Sequence, residues 1–120
     1  MKIVQNVNFQ LKEIVNCETA TTTINSLNNK EIIVTGFLIG LKETIEEETG
    51  EVKNLKIGVL KTDDGQLIST ISPTVINSME TIINAYKDID QLDEIGKGLL
   101  IGIKTAKSTK SRNFIFLELI

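Results

Sequence analysis

The sequence predicts a mainly β domain, on the basis of three features. The apolar residues are mostly Ile, Leu and Val, and of these Ile and Val favour strands. The order of predicted core elements is strand, strand, strand, helix, strand, strand, and the long first strand is interrupted by glycines. This order is typical of an OB-like five-stranded barrel with one α-helix between strands three and four. Another small β-barrel, or an open α+β sheet with the same order, also fits. A length of 120 residues indicates one domain, residues 1–120.

The N-terminal region precedes the predicted barrel. Residues 2–16 read as one extended strand, because Val7, Phe9 and Leu11 recur with period two. We therefore expect an extra N-terminal strand. Residues 18–29 are rich in Thr and Asn, which predicts an irregular connection.

The first two barrel strands are predicted over residues 31–45 and 52–61. Gly36 and Gly40 interrupt the first, and glycines inside strands often mark bulges or barrel bends. The Asp63-Asp64-Gly65 segment after the second strand is a hairpin turn signal, since Gly tolerates positive φ.

The remaining elements follow directly. Residues 66–71 read as the third strand, and Ser72-Pro73 then opens a helix, because Ser suits the N-cap and Pro the first helical position. Apolar residues at helical spacing follow: Val75, Ile76, Met79, Ile82, Ile83 and Tyr86. A polar connection precedes the two final strands, predicted over residues 99–104 and 113–120.

The last hairpin is basic, although the chain carries a net charge of -3. No acidic residue lies between Glu94 and Glu118. The cations of the hairpin loop and its flanking strands are Lys104, Lys107, Lys110 and Arg112. Such a hairpin can follow a phosphate backbone, or it can be a solvated tip.

The last strand carries two of the five aromatic residues. Strict alternation places Phe114 and Phe116 on one face with Glu118, which is unlikely to enter a small core. Outward rings beside cations are the combination that base stacking and phosphate neutralisation require. A bulge in this strand, or packing of Phe114 beneath the N-terminal strand, is the alternative.

Strands two and three supply the rest of the predicted binding surface, because OB barrels usually bind ligands across these strands. Alternation in the third strand places Leu67, Ser69 and Ile71 inward and Ile68 outward. Ile68, together with Lys56 of the second strand, completes the predicted nucleic-acid-binding set.

No enzymatic site is predicted. The chain has no His and a single Cys17, which excludes His-based catalysis, a disulfide within the chain and the usual zinc sites. Asp63 and Asp64 read as turn residues and Glu46 to Glu48 as a solvated loop, so we expect no metal and no cofactor. Neither a signal peptide nor a membrane span is evident, which predicts an intracellular, cytoplasmic protein.

Two segments resemble the single-stranded DNA-binding proteins of small protein-primed phages that infect Bacillus. Residues 63–86, DDGQLISTISPTVINSMETIINAY, resemble the family's Asp-Gly turn, its Leu-x-Ser-x-Ile-Ser strand and its apolar helix. Residues 104–120, KTAKSTKSRNFIFLELI, resemble its polar hairpin and aromatic last strand. Residues 27–44 are similar to its first barrel strand.

The resemblance implies an OB-related barrel that coats displaced single strands cooperatively during phage DNA replication, without a cofactor. It also implies self-association along DNA and contact with replication proteins. The family's binding relies on tyrosines, and the two matching positions here hold Leu41 and Ile68. An alternative function is a phage protein-interaction module that inhibits a host replication factor through the acidic loop Glu43 to Glu51.

Overall fold

The computed structural model describes residues 1–19, 22–107 and 112–120, and these form one sheet of seven strands with two α-helices. The elements in chain order are β1 (Lys2–Val7), α1 (Leu11–Asn16), β2 (Thr22–Thr23), β3 (Glu31–Ile45), β4 (Val52–Thr62), β5 (Leu67–Thr70), α2 (Pro73–Asp88), β6 (Leu99–Lys107) and β7 (Asn113–Leu119). Short 3-10 helices span Cys17–Thr19, Ile24–Leu27 and Leu92–Lys97. The predicted mainly β class is confirmed.

The sheet is a curled half-barrel with the strand order β2-β5-β4-β3-β6-β7. β3 is its centre: one edge pairs with β4, and the other is shared by β6 at residues 31–34 and β1 at residues 37–41. The register shifts between Val34 and Gly36, as expected for a bulge at that glycine. In the described residues β5 pairs with β4 and β2, and β7 pairs with β6, so a closed five-stranded barrel is not confirmed.

Helix α2 covers one face of the sheet, where its apolar residues pack with those of β3, β4 and β6. It begins as predicted, with Pro73 in its first turn and the Ser72 hydroxyl accepting the Val75 N–H at 3.5 Å. All the predicted apolar positions of this helix are buried except Tyr86, which is half-buried. Met79 packs so closely on β4 that a Cβ atom built on Gly58 would lie 2.7 Å from its Sδ.

The same helix covers the outer edge of β7. The Thr74 hydroxyl donates to the Ile115 carbonyl at 2.6 Å, and the Leu117 N–H donates to the Ser78 hydroxyl at 3.2 Å. Two side chains of α2 therefore form hydrogen bonds with backbone groups of β7 that an exposed edge strand would leave free to pair with another strand. These bonds fix the position of β7.

Residues 1–19 form a strap, in which β1 pairs with β3 and the following residues pack on the face of the sheet opposite α2. The predicted extra N-terminal strand is confirmed for Lys2–Val7, but its predicted continuation to residue 16 is wrong. β1 ends at Val7 because Asn8 adopts a positive φ of 62°, and α1 follows. The strap packs Phe9 and Cys17 in a second apolar cluster with Leu38 and Val59.

A partly buried ion pair ties the strap to the sheet. Lys61 Nζ lies 2.9 Å from the Glu13 carboxylate and 5.2 Å from the Phe9 ring centroid. Burial acts to raise the pKa of Glu13, but the Gln10 backbone N–H and the Lys61 ammonium outweigh it and hold the pKa below its ordinary value.

The strap also explains why the predicted facing of β5 is wrong. Ile68 is fully buried in the core beneath α2, whereas Ile71 is 61% exposed. Leu67 packs under the strap, in the second cluster. Both faces of β5 are thus covered, and alternation along the strand does not separate core from solvent. β2 adds a parallel partner at the β5 edge, within the predicted irregular connection.

Candidate nucleic-acid interface

Two aromatic rings and a lysine meet on the outer side of the last two strands. Lys104 lies directly opposite Phe116 in the β6–β7 register, and Ala106 opposite Phe114. Directly opposed residues share one face of an antiparallel pair. The two phenylalanine rings have centroids 6.0 Å apart and are tilted by 43°. All three side chains are half-buried, and we call Lys104, Phe114 and Phe116 the hairpin face.

Phe114, Ile115 and Phe116 are all half-buried, but only Ile115 packs with Leu117 against the core cluster, as the predicted alternation requires. Leu117 is buried at 6% exposure, and its neighbour Glu118 is exposed. Leu119 departs from the pattern, at 47% exposure near the end of the strand. The rings therefore lie on the side of the strand away from the core, within reach of solvent.

Gly102 has no side chain, which lets the Lys104 side chain lie flat along β6. A Cβ atom built on this glycine would lie 2.9 Å from Lys104 Cε and 3.0 Å from Ile120 Cδ1. The lysine stem thus lies along the strand, as long cationic side chains often do on apolar surface. Within the described ranges no carboxylate lies within 4 Å of the Lys104 ammonium, which leaves its charge available.

The other predicted binding residues fall in different places. Lys107 and Arg112 are exposed near the tip of the hairpin, and Lys110 lies outside the described residues. Lys56 forms an ion pair with Glu80 of α2, so its charge is already compensated. Ile68 lies in the core and cannot contact a ligand. The structure therefore brings together Lys104, Phe114 and Phe116 but separates Lys56 and Ile68 from them.

Four adjacent cavities form a row that begins beside Phe114 and crosses the molecule, and each shares lining residues with the next. We call this row of cavities the furrow. The shared residues, in order, are Asn25 and Ser72, then Ser69 and Ile71, then Met1, Glu18 and Lys42. It ends in a cavity of about 520 Å³ between the strap and the far part of β3 and β4.

Sequence reasoning missed this furrow, because one of its walls is the strap. The middle part is neutral, with hydroxyl groups from Ser69 and Thr70 beside the exposed Ile71. The far end mixes charges, since Lys42 lies there with Glu18. Leu41 lines this far end. It occupies a position where the resembled family has a binding tyrosine, and this correspondence was the one signal in the sequence for the far end of the furrow.

The remaining chemistry of the site is limited. Burial, and then the nearby Glu18 carboxylate, raises the pKa of the Cys17 thiol, which makes it a poor nucleophile. The described parts of the chain contain no group of three or more His, Cys, Asp or Glu side chains that could hold a metal ion. No helix among them is long and apolar enough to cross a membrane.

Comparison with known proteins gives one result that bears on this surface. A family model described as phage single-stranded DNA-binding protein matches residues 10–120. Searches of curated proteins and of solved structures give no match. The matched range includes the hairpin face and the furrow along β5, and it leaves out β1.

Proposed function

The chain belongs to the family of phage single-stranded DNA-binding proteins, as the resemblance predicted, and from this premise we propose that it coats single strands displaced during phage DNA replication. It acts without catalysis and without a cofactor, in the cytoplasm of the host cell. The observation that carries the proposal is the hairpin face, where Lys104, which has no ion pair within the described residues, lies opposite one of two adjacent phenylalanine rings.

The hairpin face supplies the two interactions that unselective single-strand binding needs. A base stacks on the accessible side of Phe116 or Phe114, which every base can do because each has a π-face. Lys104 neutralises the adjoining phosphate, and Lys107, Lys110 and Arg112 extend this contact along the backbone. Duplex DNA has no unstacked bases to offer the rings, so the arrangement favours single strands.

We propose that the strand continues from the hairpin face into the furrow. Phe114 lines the first cavity, and the hydroxyl and amide groups beyond it, including Asn25 and Ser69, fit hydrogen bonding to bases or sugars. The furrow passes over β5, which corresponds to strand three of an OB barrel. We interpret the sheet as an OB-related barrel left open between β5 and β7, with the strap as an added wall.

Binding of a labelled oligonucleotide tests the proposal. The label belongs on the DNA, because the chain has no Trp and its one Tyr86 lies on the inward side of α2. Four neutralised phosphates give a log–log salt slope of about -3, or roughly a 60-fold loss of affinity between about 50 and 200 mM salt. Absence of binding to oligo-dT at the lower salt, or equal affinity for duplex, would reject the proposal. Recovery of intact DNA after incubation with Mg²⁺ checks that no cleavage occurs.

The predicted alternative is a module that inhibits a host replication factor through its acidic loop. The acidic character of the chain supports it, with a pI of about 5.0. Capture of a host replication protein after nuclease treatment, together with no affinity for DNA, would favour this alternative.

A further inference from the structure

The far part of β3 and β4, residues 42–55, forms an arm that leaves the sheet. β1 pairs with β3 as far as Leu41, and β5 pairs with β4 as far as Gly58. Among the described residues, the two arm strands therefore pair only with each other beyond these positions. Ile45 and Val52 lie directly opposite each other near the tip and are 71% and 61% exposed. An isolated two-stranded ribbon is at best marginally stable in water, and packing against another surface stabilises it.

The net charge of the arm disfavours nucleic acid as the partner of its tip. The arm contains Lys42 and Lys53 against five glutamates and so has a net charge of -3, which equals the net charge of the whole chain. The five glutamates are Glu43, Glu46, Glu47, Glu48 and Glu51. Such a segment repels phosphates and attracts a surface that combines cations with exposed apolar groups.

The hairpin face is a surface of that kind, at the opposite end of the same central strand. β6 pairs with Glu31 to Val34 at the start of β3, and its later residues, which carry the hairpin face, extend beyond Glu31. The arm lies at the other end of β3, beyond Leu41. β3 has 15 residues, which give it a contour length of roughly 46 Å at about 3.3 Å per residue. The arm and the hairpin face extend from its two ends in opposite directions, so the arm points away from the hairpin face of its own copy.

We propose that the arm of one copy docks on the hairpin face of a second copy, head to tail. Ile45 and Val52 contact the rings of Phe114 and Phe116, and the arm carboxylates approach Lys104 and its cationic neighbours. The arm thereby offers the same pair of features as DNA, negative charge beside an apolar group. Single-stranded DNA and the arm compete for the hairpin face. This competition rests on the proposed function, whereas the contact between copies is independent of it.

Complementation between two variants tests the contact. Ile45→Thr with Val52→Thr removes the apolar pair of the arm and keeps β-branched residues in the strands, while its hairpin face stays intact. Lys104→Glu with Lys107→Glu reverses the hairpin charge and keeps the arm intact. In low-salt sedimentation velocity, we expect the wild type to self-associate in a concentration-dependent way, each variant alone to be monomeric, and their mixture to form a one-to-one dimer. Lys12→Glu with Lys87→Glu, an equal charge change at exposed lysines elsewhere, should leave association unchanged.

Several outcomes would overturn the proposal. These are a wild type that stays monomeric at every concentration, an arm variant that associates as the wild type does, or a mixture that does not dimerise. An oligo-dT of about six nucleotides, near the short end of single-domain site sizes, should return the wild type to monomer, and an increase in association would refute the competition. If the oligonucleotide does not bind at all, the proposed function fails while the contact between copies still stands.

Discussion

Replacement of Phe116 by alanine should weaken single-strand binding without unfolding the protein. Stacking of a base on an aromatic side chain contributes about 1–3 kcal/mol as measured by alanine substitution. Phe116 is half-buried and packs beside Phe114, so only part of its surface can receive a base. We therefore take the lower part of that range, about 1–2 kcal/mol, which corresponds to roughly a 5- to 30-fold rise in Kd.

Matched variants separate stacking from packing in this experiment. Phe116→Tyr keeps the ring and should keep the affinity, whereas Phe116→Leu keeps an apolar side chain but should lose affinity as the alanine variant does. Leu100→Ala, at a residue 41% exposed on the same side of β6, should leave binding unchanged. The assay is fluorescence anisotropy with labelled oligo-dT, with a thermal melt of each variant to confirm folding. An unchanged Kd for Phe116→Ala in a folded protein would refute the stacking role.

Three further predictions concern charge, the strap and the helix cap. Lys104→Gln should reduce the salt slope for single-strand binding by about 0.7, one phosphate contact, while Lys87→Gln leaves the slope unchanged; equal slopes for both variants would remove Lys104 from the interface. Because the pKa of Glu13 is held below its ordinary 4.5, its ion pair stabilises the folded state fully above pH 4.5 and this stabilisation is lost as the pH falls through the lowered value. The protection factors of the β1 amides, which correct for the slower intrinsic exchange in acid, should therefore fall with the pH in the wild type, and fall less in Glu13→Gln, which already lacks the charge. Ser72→Ala should lower stability by about 1 kcal/mol in urea unfolding, since the hydroxyl that accepts the Val75 N–H is lost; an unchanged midpoint would contradict a role for this cap.

Local signals in the sequence predicted the barrel elements well, because each has its own physical cause. The Ser72-Pro73 start of α2, the turn at Gly65 with its φ of 86° and the glycine-marked bulge in β3 all appear where the residues predict them. The outward position of Phe116 followed from alternation, since Glu118 cannot enter the core. Each of these features is determined by residues that are close to one another in the sequence, so a single sequence is enough to predict them.

The strap and the facing of β5 could not be predicted, because both depend on contacts between distant segments. Val7, Phe9 and Leu11 alternate like a strand, but Asn8 turns the chain and Leu11 ends up 77% exposed on α1. Ile68 lies in the core since the strap covers the other face of β5. The furrow depends on the same strap, and it was missed for the same reason.

Photo-crosslinking to an oligonucleotide of bromodeoxyuridine, followed by peptide mass spectrometry, tests most directly where the single strand lies. We predict that the crosslinked peptides come from residues 112–120, with Phe114 or Phe116 as the modified residue, and that further crosslinks fall along the furrow near Ser69 and Ile71. Crosslinks confined to the arm or to the exposed side of α2, with the β7 peptide unmodified, would contradict the account.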